Sequence, residues 1–468
     1  MRKIYENILA DFEDFIKISP VSNNSVLCSF AFQFENTDWL SFVTKVINDH
    51  SDISFFKTAN NQQANIGVNS AVSLHTPYSN KFSSVSKNFD RWGKCLINNW
   101  GKFNKYTAPM IFCSAKFDAN NSSSLWEEFN PIRIYIPEFI IEIDDNKAFG
   151  YFNFVPEEKF NKDSLSSKLQ TYLGSMIEPI RRKPDTSTII SSLSFDDAEN
   201  FSYWTDTFQK ALKFLDKEEI NKLVLSRTFN LKIENSINWH IILAELHQRF
   251  PDCYLFLLKK NDSIFFGSSP EMFLKVSGNK AEVESVAGSA ARGLQTESDK
   301  ELEKFLKTSE KNHKEHIIVS DFISDILIKY SNNVHVIEEK QIRKLDNIQH
   351  LITRISAELN SGINTFELID SLFPTPAVCG VPKEKAMQII KNLETHDRGL
   401  YSGLVGIFDF EKNCEIAVAI RSALVKENLV TAFAGAGIIK DSDMKEEFLE
   451  IKLKLGTILS LFTDENKN

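Results

Sequence analysis

The 468-residue chain has no C-x-x-C pair, no block of basic residues, no run of 18 apolar residues and no internal repeat. Its six cysteines (Cys28, Cys95, Cys113, Cys253, Cys379, Cys414) are widely separated, which speaks against a cysteine zinc site or a disulfide framework and for a reducing compartment. Lys plus Arg number 54 against 63 Asp plus Glu, a net charge of −9. With no basic patch, neither a nucleic-acid nor a membrane partner is expected, and an anionic substrate must be met by local cations. The lack of a long apolar run speaks against a spanning helix, and Met1 to Phe12 reaches acidic residues before a signal-type stretch can form. The expectation is a soluble, cytoplasmic protein.

What is there describes a chain that folds. Hydrophobic residues are 42%, charged 25% and aromatic 12%, a balance that excludes disorder, collagen and coiled coil. The first 195 residues are rich in Asn, Ser and Phe and carry few motifs. Ile132–Ile136 alternates like a strand and Phe139–Ile143 follows Pro137, whereas 119–124 and 183–187 read as loops. From residue 196 the elements are better marked. A helix is predicted over 198–217 and a strand at Leu223–Leu225. An antiparallel meander is predicted from Tyr254–Leu258, Ile264–Gly267, Phe273–Val276 and Ala281–Val286. Ser298 and Glu301 have capping-box spacing and open one long helix reaching Leu327. Pro382 precedes a helix to Leu393, strands follow at 403–410, 415–421 and 429–434, and Ser442 opens the last helix. Antiparallel runs interrupted by helices define an α+β protein rather than a βαβ array.

Several clusters in this second part suit chemistry, each beside a plainer reading. Glu447, Glu450 and Lys454 share one helical face, which suits a hard cation such as Mg²⁺ and equally suits a solvated charged surface. Glu315 and His316 open an apolar helical stripe, where a carboxylate faces either a site or water. Gly435 and Gly437 after a strand, and Ala287, Gly288 and Ser289 with Arg292, permit close backbone approach to a ligand, or simply make tight turns. Arg421 ends a strand, where its fork matches a carboxylate of a ligand or of a neighbour. Lys222 and Glu271 border apolar strands, where burial tunes a lysine toward a base and a glutamate toward an acid; ordinary snorkelling is the alternative for the lysine.

Taken in order, these segments form a series: Asn221–Arg227, Phe266–Glu271, Ala287–Gly293, Lys311–His316, Pro374–Pro382, Asp397–Gly403, Ala419–Ser422, Ala434–Ile438 and Glu447–Lys454. The series resembles the chorismate-utilising enzymes, and among them most closely the isochorismate synthase branch, over about 260 residues. The resemblance implies one large α+β domain of two stacked antiparallel sheets flanked by helices. Residues 1–195 would supply the N-terminal part and 196–468 the chorismate-binding catalytic region. It implies Lys222 as the base that activates water and Glu271 as the acid at the leaving hydroxyl. Glu315 and Glu450 would hold Mg²⁺ with Glu447 beside them. Arg421, Tyr401, Gly435 and Gly437 would take the enolpyruvyl carboxylate, Ala287, Gly288, Ser289, His350 and Thr375 would line the ring pocket, and Lys454 would belong to the substrate site. The lysine at 222 matches the water-adding branches rather than those that add ammonia, so no glutaminase subunit is expected. The chain departs from the branch at Phe373, where relatives usually have His, and at Ser289, where Thr is more frequent. A salicylate synthase and a non-catalytic relative that binds a chorismate-like ligand remain the alternatives. The destination of the product, menaquinone, siderophore or salicylate, stays open.

Overall fold

The computed structural model describes residues 2–462 except 19–25, 36–37, 60–62, 75–80, 106, 109–110, 121–122, 145–146, 157–161, 178–196 and 235. The loop expected at 183–187, and part of that at 119–124, lie outside the described residues. Among the described residues two sheets, of twelve and nine strands, organise the chain. The larger runs in space through Gly380–Val381, Lys222–Lys232, Leu429–Ile438, Ser422–Lys426, Ser263–Ser269 and Tyr254–Lys260. It continues through Asp52–Lys57, Ala64–Val68, Phe139–Asp144, Lys147–Phe154, Leu27–Phe34 and Leu96–Asn98. The smaller runs Ser331–Lys344, Ile348–Leu359, Lys280–Ala291, Met272–Ser277, Cys414–Val418, Leu404–Phe408, Ile111–Ala115, Ile132–Ile136 and Val72–Ser73. Both sheets therefore mix strands from the two halves of the sequence, and the pairing of Leu255–Lys260 with Asp52–Lys57 stitches the halves together. Among the described residues all strand pairings are antiparallel except that of Leu27–Ser29 with Leu96–Asn98.

Strand alternation sends neighbouring side chains to different cores. Phe55 and Leu257 pack with the helices Arg2–Ile18, Trp39–Asp49 and Trp239–Arg249 on the outer face of the larger sheet. Phe56 and Phe256 face inward with Phe112, Phe273 and Ile416 of the smaller sheet. The helix Glu310–Tyr330 contributes Val319, Ile323 and Leu327 to that same inner core. No described helix is long and apolar enough to cross a membrane.

The α+β class and the two sheets agree with the sequence reading; several local features differ. The expected meander is broken, because Tyr254–Lys260 pairs with Ser263–Ser269 in one sheet while Met272–Ser277 pairs with Lys280–Ala291 in the other. The chain changes layer at Pro270, which cannot donate to a ladder. The single long helix is two, Thr296–Thr308 and Glu310–Tyr330, because the Ser309 side chain accepts from Asn312 N and caps a new start. The last helix begins at Met444, capped by Asp443 rather than Ser442, since the Asp443 carboxylate accepts from Lys445 N and Glu446 N. A strand at Ser422–Lys426 joins those expected.

Candidate active site

The sheets converge on a cavity lined by Glu271, Ala287, Gly288, Ser289, Glu315, His350, Tyr401, Arg421, Gly435, Gly437, Glu450 and Lys454. Its charged members face inward because of where they sit on their elements. On Glu310–Tyr330 the buried positions Asn312, Glu315, His316, Val319, Ile323 and Leu327 recur every three or four residues, so Glu315 shares the core-facing stripe. On Met444–Leu459 the same rule groups Glu447 with Ile451 and Leu455, and Glu447 is 1% exposed. The solvated-face reading of these acids does not hold.

Glu271 and Arg421 occupy two of the points where the chain passes between the sheets, after Ser263–Ser269 and before Ser422–Lys426. The crossings bond to one another: Ser268 N donates to Arg421 O at 3.1 Å and Val418 N to Glu271 O at 3.1 Å. Arg421 is held at φ 51° and Ser402, another lining residue, at φ 59°, left-handed conformations that non-glycine residues keep only where surrounding structure enforces them.

Burial, with help from the Glu284 carboxylate, pushes the Glu271 carboxyl up to about 8, against the opposing pull of Lys222, Arg421 and Lys454. Glu271 is thus a protonated donor at neutral pH. Arg421 is buried, and burial lowers its affinity for a proton. Its Nη2 donates to His350 Nε2 at 2.9 Å, its Nε has no partner, and among the described residues it forms no ion pair. An arginine can only donate, so His350 accepts at Nε2 and, being held neutral by burial and by Arg421, carries its proton on Nδ1, 3.0 Å from Ser289 Oγ. His316 is likewise neutral, lowered to about 4 by burial, and its Nδ1 donates to Ala287 O at 3.2 Å. Tyr401 stacks on Phe433 with ring centres 5.3 Å apart.

Lys222 is fully buried at the start of its strand, with Nζ 2.9 Å from Glu315 Oε1 but no aligned hydrogen bond. It stands behind the lining residues, next to Gly437. A Cβ at Gly437 would lie 2.2 Å from Glu315 Oε1 and 3.0 Å from Lys222 Cε, so only glycine admits this approach. Glu447 also lies just outside the lining, paired with Lys311. Burial first, then the charges of Glu450 and Glu315, push it up to about 7. Lys454 Nζ lies 2.6 Å from Glu450 Oε1 and donates to Gly435 O at 2.9 Å. Although burial opposes it, Lys454, Lys311 and the Ser289 hydroxyl hold Glu450 below the usual carboxylate value.

Three carboxylates supply hard oxygen donors, with Glu447 feeling the charges of both Glu450 and Glu315. Among the described residues no group of three or more His, Cys, Asp or Glu side chains is arranged to hold a metal ion; Mg²⁺, which keeps waters and needs only one or two protein carboxylates, suits Glu315 and Glu450 as hard oxygen donors.

Thr375 is the one expected pocket residue found away from both the lining and these neighbours. Its carbonyl accepts from Val378 N at 3.1 Å and Cys379 N at 3.0 Å, a turn that brings Ala377 and Val378 to the cavity instead. Val224, Pro270, Val286, Ser402 and Ile420 complete the lining. These were not picked out because small and apolar residues carry no chemical signature, although all but Val286 lie within segments of the series and Val286 adjoins one. Arg398 supports two walls, donating to Val224 O and Val378 O at 2.8 Å each, and is ion-paired with Glu394.

A two-layer α+β sandwich with an acid, a lysine, an arginine and acidic helix faces around one inter-sheet cavity defines a class. The chain belongs to the chorismate-binding enzyme family, whose profile matches residues 14–463. It is 26% identical over 452 residues to the isochorismate synthase MenF of Bacillus subtilis, covering 95% of each chain. It is 32% identical over 333 residues to that of Haemophilus influenzae, covering 70% of this chain and 75% of the relative. In fold it resembles the solved menaquinone-specific isochorismate synthase MenF of Escherichia coli, with a TM-score of 0.78, 19% identity, and coverage of 98% and 100% of the two chains.

Proposed function

We propose that this protein is an isochorismate synthase, an isomerase that adds water at C2 of chorismate and expels the C4 hydroxyl, with Mg²⁺ as its metal. The observation that carries the reading is the buried Arg421 guanidinium, without a carboxylate partner, facing the same cavity as a protonated glutamic acid. An uncompensated buried cation is costly, and an anionic substrate offsets that cost. The full-length likeness to isochorismate synthases gives the substrate its identity.

Arg421 receives the enolpyruvyl carboxylate by charge-assisted hydrogen bonds, with the Tyr401 hydroxyl and the backbone around Gly435 and Gly437 alongside. Lys222 Nζ takes a proton from water as the water oxygen bonds to C2. The ring double bonds shift, the C4–O bond breaks, and Glu271 delivers its proton to the departing oxygen. One water enters and one leaves, so the product is an isomer. Glu315 and Glu450 would hold Mg²⁺, with Glu447 beside them, and the bound cation supplies the positive charge that neutralises the ring carboxylate. The lysine at 222 matches the water-adding members of the family rather than those that add ammonia, which supports water as nucleophile and a chain that works without a glutaminase subunit. The six free cysteines, five of them buried, suit a reducing cytoplasm.

The test is incubation with chorismate and Mg²⁺ followed by chromatography. Isochorismate is the expected product; salicylate with pyruvate, an aminated product, or unchanged chorismate would each reject the assignment. Arg421→Ala should raise KM by an amount equivalent to about 1.5–3 kcal/mol, the worth of a hydrogen bond to a charged group, with the fold retained by circular dichroism. An unchanged KM would remove Arg421 from the substrate site. Glu315→Gln and Glu450→Gln should each weaken Mg²⁺ binding about tenfold or more in calorimetry, since each removes one of very few anionic oxygen donors. Wild-type affinity in both variants would disprove the metal assignment.

A further inference from the structure

The mechanism leaves unused a buried ion-pair cluster behind the proposed acid. Glu284, on strand Lys280–Ala291, is 4% exposed. Arg343, on strand Ser331–Lys344, grips it as a fork: Nη1 donates to Oε2 and Nη2 to Oε1, both at 2.8 Å. The same two side chains hold the peptide groups on either side of Glu271. Arg343 Nη1 also donates to Pro270 O, and Met272 N donates to Glu284 Oε2 at 3.2 Å. Arg354 adds a further bond, from Nη2 to Glu284 Oε1 at 3.1 Å.

We infer that Glu284 and Arg343 are positioning residues, a clamp that fixes the Pro270–Met272 turn and so aims the Glu271 carboxyl into the cavity. The inference rests on Glu271 being the acid of the proposed reaction. Geometry makes the case. Glu271 lies in a layer crossing, where neither sheet's ladder orders the peptide on its N-terminal side, because Pro270 has no N–H and its carbonyl finds Arg343 instead. Glu271 N donates to Ser269 Oγ at 3.2 Å and Glu271 O accepts from Val418 N, so with the clamp the backbone around the acid is held on every side. A planar bidentate fork gives this hold a direction that a lysine point charge cannot reproduce. The clamp also places a carboxylate near the acid. The charged groups facing Glu271 are Glu284 from its strand, Lys222 from the facing sheet, Arg421 at the second crossing and Lys454 from the last helix. Of these only Glu284 favours the protonated acid.

The test compares Arg343→Lys, Glu284→Gln and Arg354→Gln, with thermal melts confirming folding. Arg343→Lys keeps the charge and loses the fork; kcat should fall about 10–10²-fold, as for a misaimed catalytic group, with KM within about twofold. Arg354→Gln removes a bond to the same carboxylate but none of the bonds that reach Pro270 O and Met272 N, and should leave kcat within about twofold of wild type. Glutamate carboxyls labelled with ¹³C, with Glu271 assigned by its loss in Glu271→Gln, should show the Glu271 titration midpoint moving to lower pH in Glu284→Gln. That measurement needs no turnover, so it judges the clamp even if the wild type leaves chorismate unchanged, a result that would reject the functional reading alone. Unchanged kcat in Arg343→Lys, equal losses in Arg343→Lys and Arg354→Gln, or an unmoved Glu271 midpoint would overturn the clamp. Should Glu284→Gln fail to fold, Arg343→Lys against Arg354→Gln decides.

Discussion

Replacing Lys222 by alanine is expected to lower isochorismate formation about 10²–10⁴-fold, the usual contribution of a positioned general base. The variant should still bind chorismate, because the proposed carboxylate contacts come from Arg421 and its neighbours. Lys222 begins the strand that pairs with Gly380–Val381 on one side and with Leu429–Ile438 on the other, so the ladder that holds the backbone does not depend on the side chain. Removing Nζ leaves Glu315 without its 2.9 Å ion-pair partner, and a moderate loss of thermal stability should accompany the loss of activity. Steady-state kinetics with product chromatography, in the presence and absence of ammonia, is the check. Near-normal isochorismate formation by the variant, or amination by the wild type, would overturn the role of Lys222.

The second large effect concerns Glu271. Glu271→Gln keeps shape and removes the transferable proton, so kcat should fall by about 10²–10⁴. In the wild type the acid must be protonated to work. With its carboxyl raised to about 8, activity should hold through neutrality and decline above pH 8. The folded protein binds this proton more tightly than the unfolded chain, so the associated stability is present at low pH and lost as pH rises through about 8. Glu271→Gln, which has no carboxylate to ionise in the interior, should therefore be relatively more stable than wild type above that pH. Kinetics and thermal melts across pH 6–10 would measure both; a rate insensitive to pH between 7 and 9 would count against Glu271 as the acid.

How far the sequence disclosed this arrangement depended on whether a residue's pattern was visible locally. The strands Tyr254–Lys260 and Leu429–Ile438 and the helix Lys383–Leu393 were legible from turns, a proline and apolar runs. The N-terminal half was not, for a physical reason. Strands such as Asp52–Lys57, Ala64–Val68 and Ile111–Ala115 are buried along their whole length, so the period-two alternation that marks a half-exposed strand is missing. The acidic faces of Glu310–Tyr330 and Met444–Leu459 were ambiguous because a charge beside an apolar stripe looks the same in sequence whether it meets water or a cavity. Only the opposing sheet decides. Glu284 and Arg343 escaped notice altogether, since 59 residues separate partners that meet only after three strands have paired.

The paired crossings at Glu271 and Arg421 have a consequence for how this fold can vary. Each crossing hands a strand from one layer to the other, and the two hand-overs are tied by reciprocal backbone bonds between Ser268 and Arg421 and between Val418 and Glu271. Adding or deleting one residue between Phe265 and Leu274, or between Ile416 and Leu424, would invert which side chains of the following strand face inward. Substitutions within these stretches can be absorbed one side chain at a time, whereas changes of length cannot. Natural length variation in proteins built this way should accordingly gather in the hairpin tips, such as Asn261–Asp262 or Glu427–Asn428, and leave these two spans at constant length.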